Sequence, residues 1–363
     1  MTERPRLRVL ALVPYPLGTA PGQRYRIEQW APYLRDEGIE LHFVPFAGAA
    51  LARTLYEPGR HLKKAAQMTQ AWIAGIEHAW RAAAFDAVYL YREASLVGPA
   101  LLERLIARRN SRIVYDFDDA IWQPYVSPRN RYFSYLKAPD KTRTLCRLAE
   151  SVVVGNEHLA QFARRYNPSV TIIPSTVSLR EYRPAPGGTR PNIPVVGWTG
   201  SHSSIQYLRI VEGALRRLAS RRRYRLRVIG VEGYSIPGVD VECRPWSAST
   251  EVEDLWPLDV GIMPLTEDPW TVGKCAMKVI QYLGVGVPAV VSPVGMNRDV
   301  IEQGVTGFHA RSEDEWVETL ERCLDDEALR RRMGEAGRAV VEARYSAEVQ
   351  APRLAMILRA PNR

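Results

Sequence analysis

Short apolar runs alternate with amphipathic segments along the whole chain. The runs 7–13 and 87–91 have the length and composition of strands that are buried in a parallel sheet. Segments such as 24–35 carry apolar residues close to helical spacing. The same alternation begins again at 195–198. This repeated order of strand and helix predicts an α/β fold with two Rossmann-like domains.

The clearest linker signal is the stretch 182–194, which is rich in proline and glycine. We therefore expect an N-terminal domain over 1–183 and a C-terminal domain over 184–345. The tail 346–363 has the composition of a helix that contains Pro352.

The stretch 268–293 holds the most informative pattern. Its apolar spacing predicts a helix over 273–283, with Gly273 and Lys274 at its start. Backbone N–H groups and an ammonium at a helix N-terminus favour an anion. Gln281 lies about two turns further on, roughly on the same face. A phosphate at the start and a hydroxyl-bearing group along the helix together describe a nucleotide.

The composition is that of an ordinary soluble globular protein, with 46% hydrophobic and 25% charged residues. At 363 residues the chain is long enough for two cores. No apolar run approaches the ~20 residues that span a bilayer, and the run 9–13 is too short for a signal peptide core. The four cysteines lack metal-ligand spacing. We therefore expect a cytoplasmic protein with reduced thiols.

The net charge of +9 comes partly from arginine clusters at 216–223 and 330–332. Such clusters are typical of solvated helix faces. They would also attract a nucleotide sugar or anionic lipid headgroups. Because no nucleic-acid motif accompanies the charge, we expect no nucleic-acid partner.

The residues 281–288, reading QYLGVGVP, match the second half of the donor-sugar signature of family 4 retaining glycosyltransferases. The stretch is similar to a subgroup that reads GK-x-x-x-K-x-x-E-Y, with Gly273, Lys274 and Lys278 at the quoted positions. In the family, two glutamates of the signature contact the ribose hydroxyls and the transferred sugar. Here those positions hold Gln281 and Gly273. Glutamine can still donate to and accept from a diol, without charge assistance.

This resemblance extends over nearly the whole chain and implies the GT-B fold. In that fold two Rossmann-like domains face each other across a cleft, and the C-terminal helix, here 346–363, crosses back to the N-terminal domain. The turn 199–204 is similar to the family's diphosphate loop. The implied donor-binding residues are Gly200, Ser201, His202, Ser204, Trp246, Gly273, Lys274, Lys278 and Gln281. The sequence PG-x-R-x-R resembles the family's N-domain loop, which places Gly22, Arg24 and Arg26 in the cleft.

Polar residues also follow predicted strands of the N-terminal half, where such sheets usually bind ligands. Arg92 and Glu93 follow one strand, and we assign them, with Gly22 and Arg26, to the acceptor side. Asp118 and Asp119 end the sequence DFDD and follow another strand. Aspartates at this spacing hold a divalent ion in other glycosyltransferases, so a metal site is one alternative. We expect instead that Asp118, Asp119 and Arg24 are catalytic residues. The two carboxylates would orient either the acceptor or Arg24.

The segment 122–141 is long for a loop and rich in aromatic residues, proline and arginine. Its length predicts a lid or an acceptor surface. A basic and aromatic segment could also contact the inner face of a membrane from the cytoplasm.

The resemblance implies a hexosyltransferase of glycan biosynthesis. It would move a sugar with retention from a UDP- or GDP-sugar to a glycan or lipid-linked acceptor, with no metal and no cofactor. One alternative is a nucleotide-sugar epimerase of the same fold, with Asp118, Asp119 and Glu93 as acid and base groups. The other is a non-catalytic binder of sugar nucleotides, because Gly273 and Gln281 replace the signature's glutamates.

Overall fold

The computed structural model describes residues 6–55, 57, 59–123, 138, 140–187 and 192–360. Residues 124–137 and 139 of the predicted lid, and residues 188–191 of the predicted linker, lie outside the described residues. The chain forms two compact units, and we describe each by itself. Unit 1 contains Met1–Ser175 and Gln350–Arg363, and unit 2 contains Thr176–Val349.

Unit 1 is built on a parallel sheet. Its strands are Leu7–Val13 (β1), Ile39–Pro45 (β2), Ala87–Tyr91 (β3), Ile113–Phe117 (β4), Ser151–Val154 (β5) and Val170–Ile172 (β6). They form one six-stranded sheet in the order β2-β1-β3-β4-β5-β6. Every residue of β3 and β4 is buried, as expected of strands covered on both faces.

The helices of unit 1 connect these strands. They are Pro21–Gln23 (α1), Ala31–Asp36 (α2), Ala49–Leu55 (α3), His61–Arg81 (α4), Leu101–Arg109 (α5), Lys141–Leu148 (α6) and Glu157–Ala163 (α7). Between α1 and α2 the chain makes a π-helical turn, Arg24–Glu28. Rare π-helical turns of this kind occur frequently at functional sites.

Unit 2 is built on a second parallel sheet. Its strands are Val195–Thr199 (β7), Arg225–Ile229 (β8), Asp240–Arg244 (β9), Val260–Met263 (β10), Ala289–Val291 (β11) and Gly307–His309 (β12). They form a six-stranded sheet in the order β12-β11-β10-β7-β8-β9. The predicted α/β fold with two parallel-sheet domains is therefore confirmed.

The helices of unit 2 continue the numbering. They are Ile205–Leu208 (α8), Glu212–Arg221 (α9), Met277–Gly284 (α10), Asn297–Val300 (α11), Glu313–Asp325 (α12) and Glu327–Arg344 (α13). A last helix, Ala347–Arg359 (α14), contains Pro352, and its residues from Gln350 onward group with unit 1. Among the residues that the structure describes, no helix is both long enough and apolar enough to cross a membrane.

Two predicted helices differ from those in the structure. The segment 24–35 is interrupted by the π-helical turn. The helix predicted over 273–283 begins at Met277. The last difference changes the candidate site.

Candidate functional site

Each sheet reverses its strand order at one point, and ligands of such folds bind where the connections diverge, at the carboxyl ends of the strands. In unit 2 the order reverses between β7 and β10, which pair through Val196 and Val260. The turn 200–204 follows β7, and the loop that contains Lys274 follows β10. The topology of unit 2 therefore places two predicted donor-binding segments side by side.

The turn after β7 uses much of its own hydrogen-bonding capacity. The Gly200 N–H donates to the Ile229 carbonyl at 2.9 Å, and the Ser201 N–H donates to Ser204 Oγ at 2.9 Å. The Ser204 hydroxyl in turn donates to the Ser201 carbonyl at 3.1 Å. The backbone N–H groups of Gly200 and Ser201 are therefore already donated within the protein, and the role of the two residues in donor binding stays a prediction.

The exposed tip of this turn consists of Ser201, His202 and Ser203. The hydroxyls of Ser201 and Ser203 share a hydrogen bond of 2.8 Å. Hydroxyl groups and an imidazole at this tip could donate to an anion from the solvent side. The polar groups that the turn exposes to solvent are therefore the side chains at its tip.

Close packing explains why glycines stand at the base of the turn. A Cβ at Gly200 would lie 2.3 Å from the Trp198 ring. Gly230, which follows β8, has a φ of +92°, and a Cβ there would lie 2.1 Å from the Gly200 carbonyl oxygen. Only glycine fits such contacts without displacement of the neighbours.

Two lysines lie beside the turn. Lys274 Nζ is 5.8 Å from the centroid of the Tyr207 ring and 5.5 Å from that of Trp270. Lys278 Nζ is 5.3 Å from the centroid of the Trp198 ring, the ring that underlies Gly200. Cation–π contacts of this length attract an ammonium to the face of the ring. The structure therefore brings both predicted phosphate-binding lysines to the two ends of the turn.

Asp268 organises the loop that carries Lys274. One oxygen of its carboxylate accepts the N–H groups of Trp270 and Thr271, both at 2.9 Å, and the other accepts the Thr266 hydroxyl at 2.7 Å. Burial acts to raise the pKa of Asp268, but the hydrogen bonds from Thr266, Thr271 and Trp270 outweigh it and lower the pKa. The ionised carboxylate thus fixes the chain just before the lysine.

The helix tip predicted at Gly273 and Lys274 is absent from that position. A short 3₁₀ turn, Thr271–Gly273, comes first, and its hydrogen bonds use the N–H groups of Gly273 and Lys274. Ala276 then adopts a left-handed φ of +51°, and α10 begins at Met277. The predicted phosphate site on the N–H groups of Gly273 and Lys274 is therefore wrong, because those groups are engaged and the helix starts later.

A chain of hydrogen bonds connects two other predicted donor-binding residues. Gln281 Nε2 donates to the Tyr182 hydroxyl at 2.8 Å and to Glu251 Oε1 at 3.4 Å. Trp246 Nε1 donates to the same Glu251 oxygen at 2.9 Å. Glu251 is buried, as are Gln281 and Tyr182. The structure therefore places Trp246 near Gln281 and adds the carboxylate of Glu251, which the sequence analysis missed.

No local signal in the sequence could have identified Glu251. It stands 30 residues before Gln281 along the chain, inside a segment with ordinary surface composition. Tyr182 opens the segment that was predicted to be a linker, yet it is fully buried in unit 2. Both contacts depend on long-range packing that a single sequence does not show.

In unit 1 the strand order reverses between β1 and β3. Gly22 lies on the connection after β1, and Arg92 follows β3 with a left-handed φ of +57°. Arg92 donates to Asp118 Oδ1 at 2.7 Å and to Asp119 Oδ2 at 2.6 Å. A Cβ at Gly22 would lie 3.1 Å from Asp118 Oδ2. Four predicted site residues therefore form one cluster.

The cluster keeps Asp118 ionised. Burial acts to raise the pKa of Asp118, but the guanidinium groups of Arg92 and Arg26 outweigh it, and the pKa is lowered. The Tyr91 hydroxyl also donates to Asp118 Oδ1, at 2.9 Å. Non-glycine residues with a left-handed backbone, such as Arg92, often mark functional sites.

Arg26 and Asp116 form a separate ion pair inside unit 1. Arg26 donates to both oxygens of Asp116, at 3.0 and 2.8 Å, and to the carbonyl of Ile173. Both side chains are 0% exposed, and the Tyr89 hydroxyl donates to Asp116 at 2.6 Å. Burial lowers the pKa of Arg26, but the Asp116 carboxylate outweighs it and raises the pKa. The prediction that Arg26 faces the acceptor is therefore wrong, because none of its side chain is exposed.

The two remaining predicted residues of unit 1 lie near this region. Arg24 is largely buried in the π-helical turn, with its guanidinium 5.5 Å from the centroid of the Tyr25 ring. Glu93 is partly exposed and lies 3.9 Å from Lys141 Nζ, which also binds Glu103. Within the described ranges, no group of three His, Cys, Asp or Glu side chains is arranged to hold a metal ion.

One segment of unit 2 matches a known protein family. Residues 262–340 match the family described as glycosyl transferases group 1. The matched segment contains Lys274, Lys278 and Gln281. No curated protein matches the sequence of the chain.

Solved structures share the fold of the whole chain. Sucrose-phosphate synthase from Thermosynechococcus elongatus superposes with a TM-score of 0.72 at 15% identity, covering 98% of each chain. A glycosyltransferase from Rickettsia africae gives 0.67 at 13% identity, covering 98% of this chain and 100% of that one. Anabaena HepE in complex with UDP-glucose gives 0.65 at 16% identity, covering 97% and 99%. The predicted GT-B fold is therefore confirmed.

Proposed function

We propose that this protein is a glycosyltransferase that transfers a sugar from a nucleoside-diphosphate sugar to an acceptor hydroxyl. The observation that carries the proposal is the convergence of Lys274 and Lys278 on the turn 200–204, where strand order reverses in unit 2. The match of 262–340 to glycosyl transferases group 1 covers both lysines. The fold shared with HepE, which was crystallised with UDP-glucose, supports the same donor class.

The chemistry requires positive charge at the leaving diphosphate. As the bond to the sugar breaks, negative charge grows on the diphosphate, and preorganised cations and hydrogen-bond donors stabilise it. Lys274 and Lys278 supply the cations, and the tip of the turn supplies the hydroxyls of Ser201 and Ser203 and the imidazole of His202. Asp268 holds the loop of Lys274, so the ammonium is positioned before the donor binds.

We assign the nucleoside to the hydrogen-bonded group of Trp246, Glu251 and Gln281. Trp246 offers an aromatic face for a base. Glu251 provides a carboxylate beside Gln281, at the position where the resemblance implies contact with ribose hydroxyls. We propose UDP-sugars as the first donors to test, with GDP-sugars second.

We further propose family 4 chemistry, a hexose as the transferred sugar, retention of configuration and independence from metal ions. The two lysines provide the charge that a divalent ion supplies to the diphosphate in other enzymes. On the acceptor side we place Gly22, Arg92, Glu93, Asp118 and Asp119, with Arg24 beside them. Their ion pairs would hold the acceptor's surroundings rigid, and we name no protein nucleophile.

The test is calorimetric titration of the full chain with UDP, UDP-glucose, GDP and GDP-mannose, followed by Lys274→Ala and Lys278→Ala. Loss of a charged contact should weaken diphosphate binding by about 1.5–3 kcal/mol, roughly 10- to 150-fold. Lys63→Ala, which removes an exposed lysine of unit 1, is the matched control and should bind normally. Unchanged affinity in Lys274→Ala would overturn the donor site.

Turnover separates an enzyme from a mere binder. Release of the nucleoside diphosphate should rise when glycan or lipid acceptors are added, and should persist in EDTA. The anomeric configuration of the product, read by NMR, tests retention. Tight donor binding with no release and no transfer would identify a non-catalytic protein.

A further inference from the structure

The outward side of α4 carries an apolar stripe, which we call the α4 face. It consists of Leu62, Ile73, Ile76 and Trp80, which are 90%, 65%, 43% and 52% exposed. Ile73, Ile76 and Trp80 are spaced three and four residues apart, and Leu62 lies three turns before Ile73, so all four share one side of the helix. The stripe is ~27 Å long.

The opposite side of α4 already packs on the core of unit 1. Met68 and Trp72 contact the cluster of Phe46, Leu51, Leu96 and Leu102. A Cβ at Gly75 would lie 2.7 Å from a methyl group of Leu102 on α5, which shows how closely the two helices approach. The α4 face therefore does not serve the core. Single exposed apolar residues are ordinary, whereas an aligned series marks an interaction surface.

Exposed basic residues lie on α4 itself and on the neighbouring helix α5. Exposed cations on α4 and α5 are Lys63, Arg81, Arg104, Arg108 and Arg109. The exposed acidic residue on these two fully described helices is Glu77, which pairs with Arg81 at 2.7 Å. The Arg109 guanidinium lies 3.7 Å from the centroid of the Trp80 ring. The helix pair thus exposes an apolar stripe together with more basic than acidic side chains.

We propose that the α4 face docks unit 1 on the surface of an anionic lipid bilayer. A helix that is parallel to a membrane inserts its apolar side among the acyl chains and keeps lysine and arginine at the headgroups. Tryptophan favours this interfacial depth. A second copy of the chain fits the charge poorly, because it would bring two predominantly basic helix pairs together. The inference goes beyond the proposed function and does not depend on it.

The test is flotation of the full chain with vesicles of phosphatidylcholine alone or mixed with phosphatidylglycerol. The chain should float with the anionic vesicles and much less with the neutral ones, and high salt should release it. Ile73→Ser/Trp80→Ser should lower partitioning by at least about tenfold, since it removes two interfacial side chains. Arg104→Gln/Arg108→Gln should weaken binding and reduce its dependence on salt.

The matched control is Met356→Ser, which removes an exposed apolar side chain of α14 and should partition like the wild type. Affinity for UDP, measured on the same variants, should stay unchanged, so failure here is distinct from failure of the donor site. Absence of vesicle binding would overturn the proposal. So would a dimer in light scattering that Ile73→Ser/Trp80→Ser dissolves, since the occupant would then be a second copy.

Discussion

The two units hold their charges in different ways at the points where their strand orders reverse. In unit 1, Arg92 is bound by the carboxylates of Asp118 and Asp119 at hydrogen-bond distance. In unit 2, Lys274 and Lys278 lie over aromatic rings. Ion pairs fix a guanidinium through directed hydrogen bonds, whereas a ring face attracts an ammonium that lies above it. The comparison indicates a cluster in unit 1 that is fixed by ion pairs, and two lysines in unit 2 that our proposal assigns to the diphosphate.

Unit 1 repeats this pairing further inside, where Arg26 and Asp116 are wholly buried. The pair links the connection after β1 to β4 and, through the Ile173 carbonyl, to the residue after β6. Polar bonds that cross a sheet in this manner specify one arrangement of the connections. The inner pair therefore supports the outer cluster of Arg92, Asp118 and Asp119.

The largest expected loss of stability comes from removing one member of the inner pair of Arg26 and Asp116. Asp116→Asn leaves the Arg26 guanidinium buried without its counter-charge, and we expect the free energy of unfolding to fall by about 3–5 kcal/mol. The double variant Asp116→Asn/Arg26→Leu should recover part of this loss, because no buried charge is left over. Urea denaturation of the three variants measures both effects. A single-variant loss under ~1 kcal/mol would contradict a structural role for the pair.

The glycines of the two turns offer a direct comparison between the units. Neither Gly22 nor Gly200 has a left-handed φ, so the cost of alanine is steric. At Gly200 the new methyl group would meet the Trp198 ring at 2.3 Å, and at Gly22 it would meet the Tyr91 hydroxyl at 2.8 Å. We expect Gly200→Ala to lower the free energy of unfolding by about 1–3 kcal/mol. Gly22→Ala should lower it less, since the hydroxyl at the tip of Tyr91 moves more easily than the Trp198 ring.

Thermal unfolding of the two variants, with titration of UDP, checks this order. Gly200→Ala should also weaken UDP binding, because the displaced Trp198 ring lies against Lys278. Gly22→Ala should leave UDP binding intact. The reverse order of stability would show that the turn of unit 2 is the more adaptable one.

The fold, and the position of Lys274 and Lys278 beside the turn 200–204, could be predicted from sequence because their signals are local. Buried strands read as apolar runs, and the pair Lys274 and Lys278 stands out within one short motif. The start of α10 could not be predicted, because alanine at 276 gives no sign of its left-handed backbone. Residues 273–276 retain helical apolar spacing although they are not α-helical.

Pairs of residues that lie far apart along the chain could not be predicted either. Arg26 resembles a surface residue until Asp116, 90 positions away, is packed against it. The role of Gln281 was read as a weakened form of glutamate, while the carboxylate it lacks stands on Glu251. Such pairings arise from the sheet topology, and one sequence without its relatives does not reveal them.

Glu251 and Gln281 allow a test within unit 2, because one carries a carboxylate and the other an amide. Gln281→Glu would place two carboxylates in one buried group, and their repulsion should weaken UDP binding roughly tenfold, ~1.4 kcal/mol. Glu251→Gln alone removes the charge and should weaken binding as well. The double variant Glu251→Gln/Gln281→Glu restores one carboxylate and one amide. Calorimetric titration should show its affinity to be closer to the wild type than that of either single variant.

The smallest expected effect is a loss of stability at low pH. It tests whether the cluster of Arg92, Asp118 and Asp119 depends on charge. The pKa of Asp118 is lowered in the folded protein, so its contribution to stability is complete above the ordinary aspartate value of 3.8. That contribution should be lost as the pH falls through the folded pKa, with a slope of at most ~1.4 kcal/mol per pH unit for one proton. Asp118→Asn should lack this component, so the stability difference between wild type and variant should be constant above pH 3.8 and shrink below it. A stability difference that stays constant below pH 3.8 would mean that Asp118 acts by packing and not by its charge.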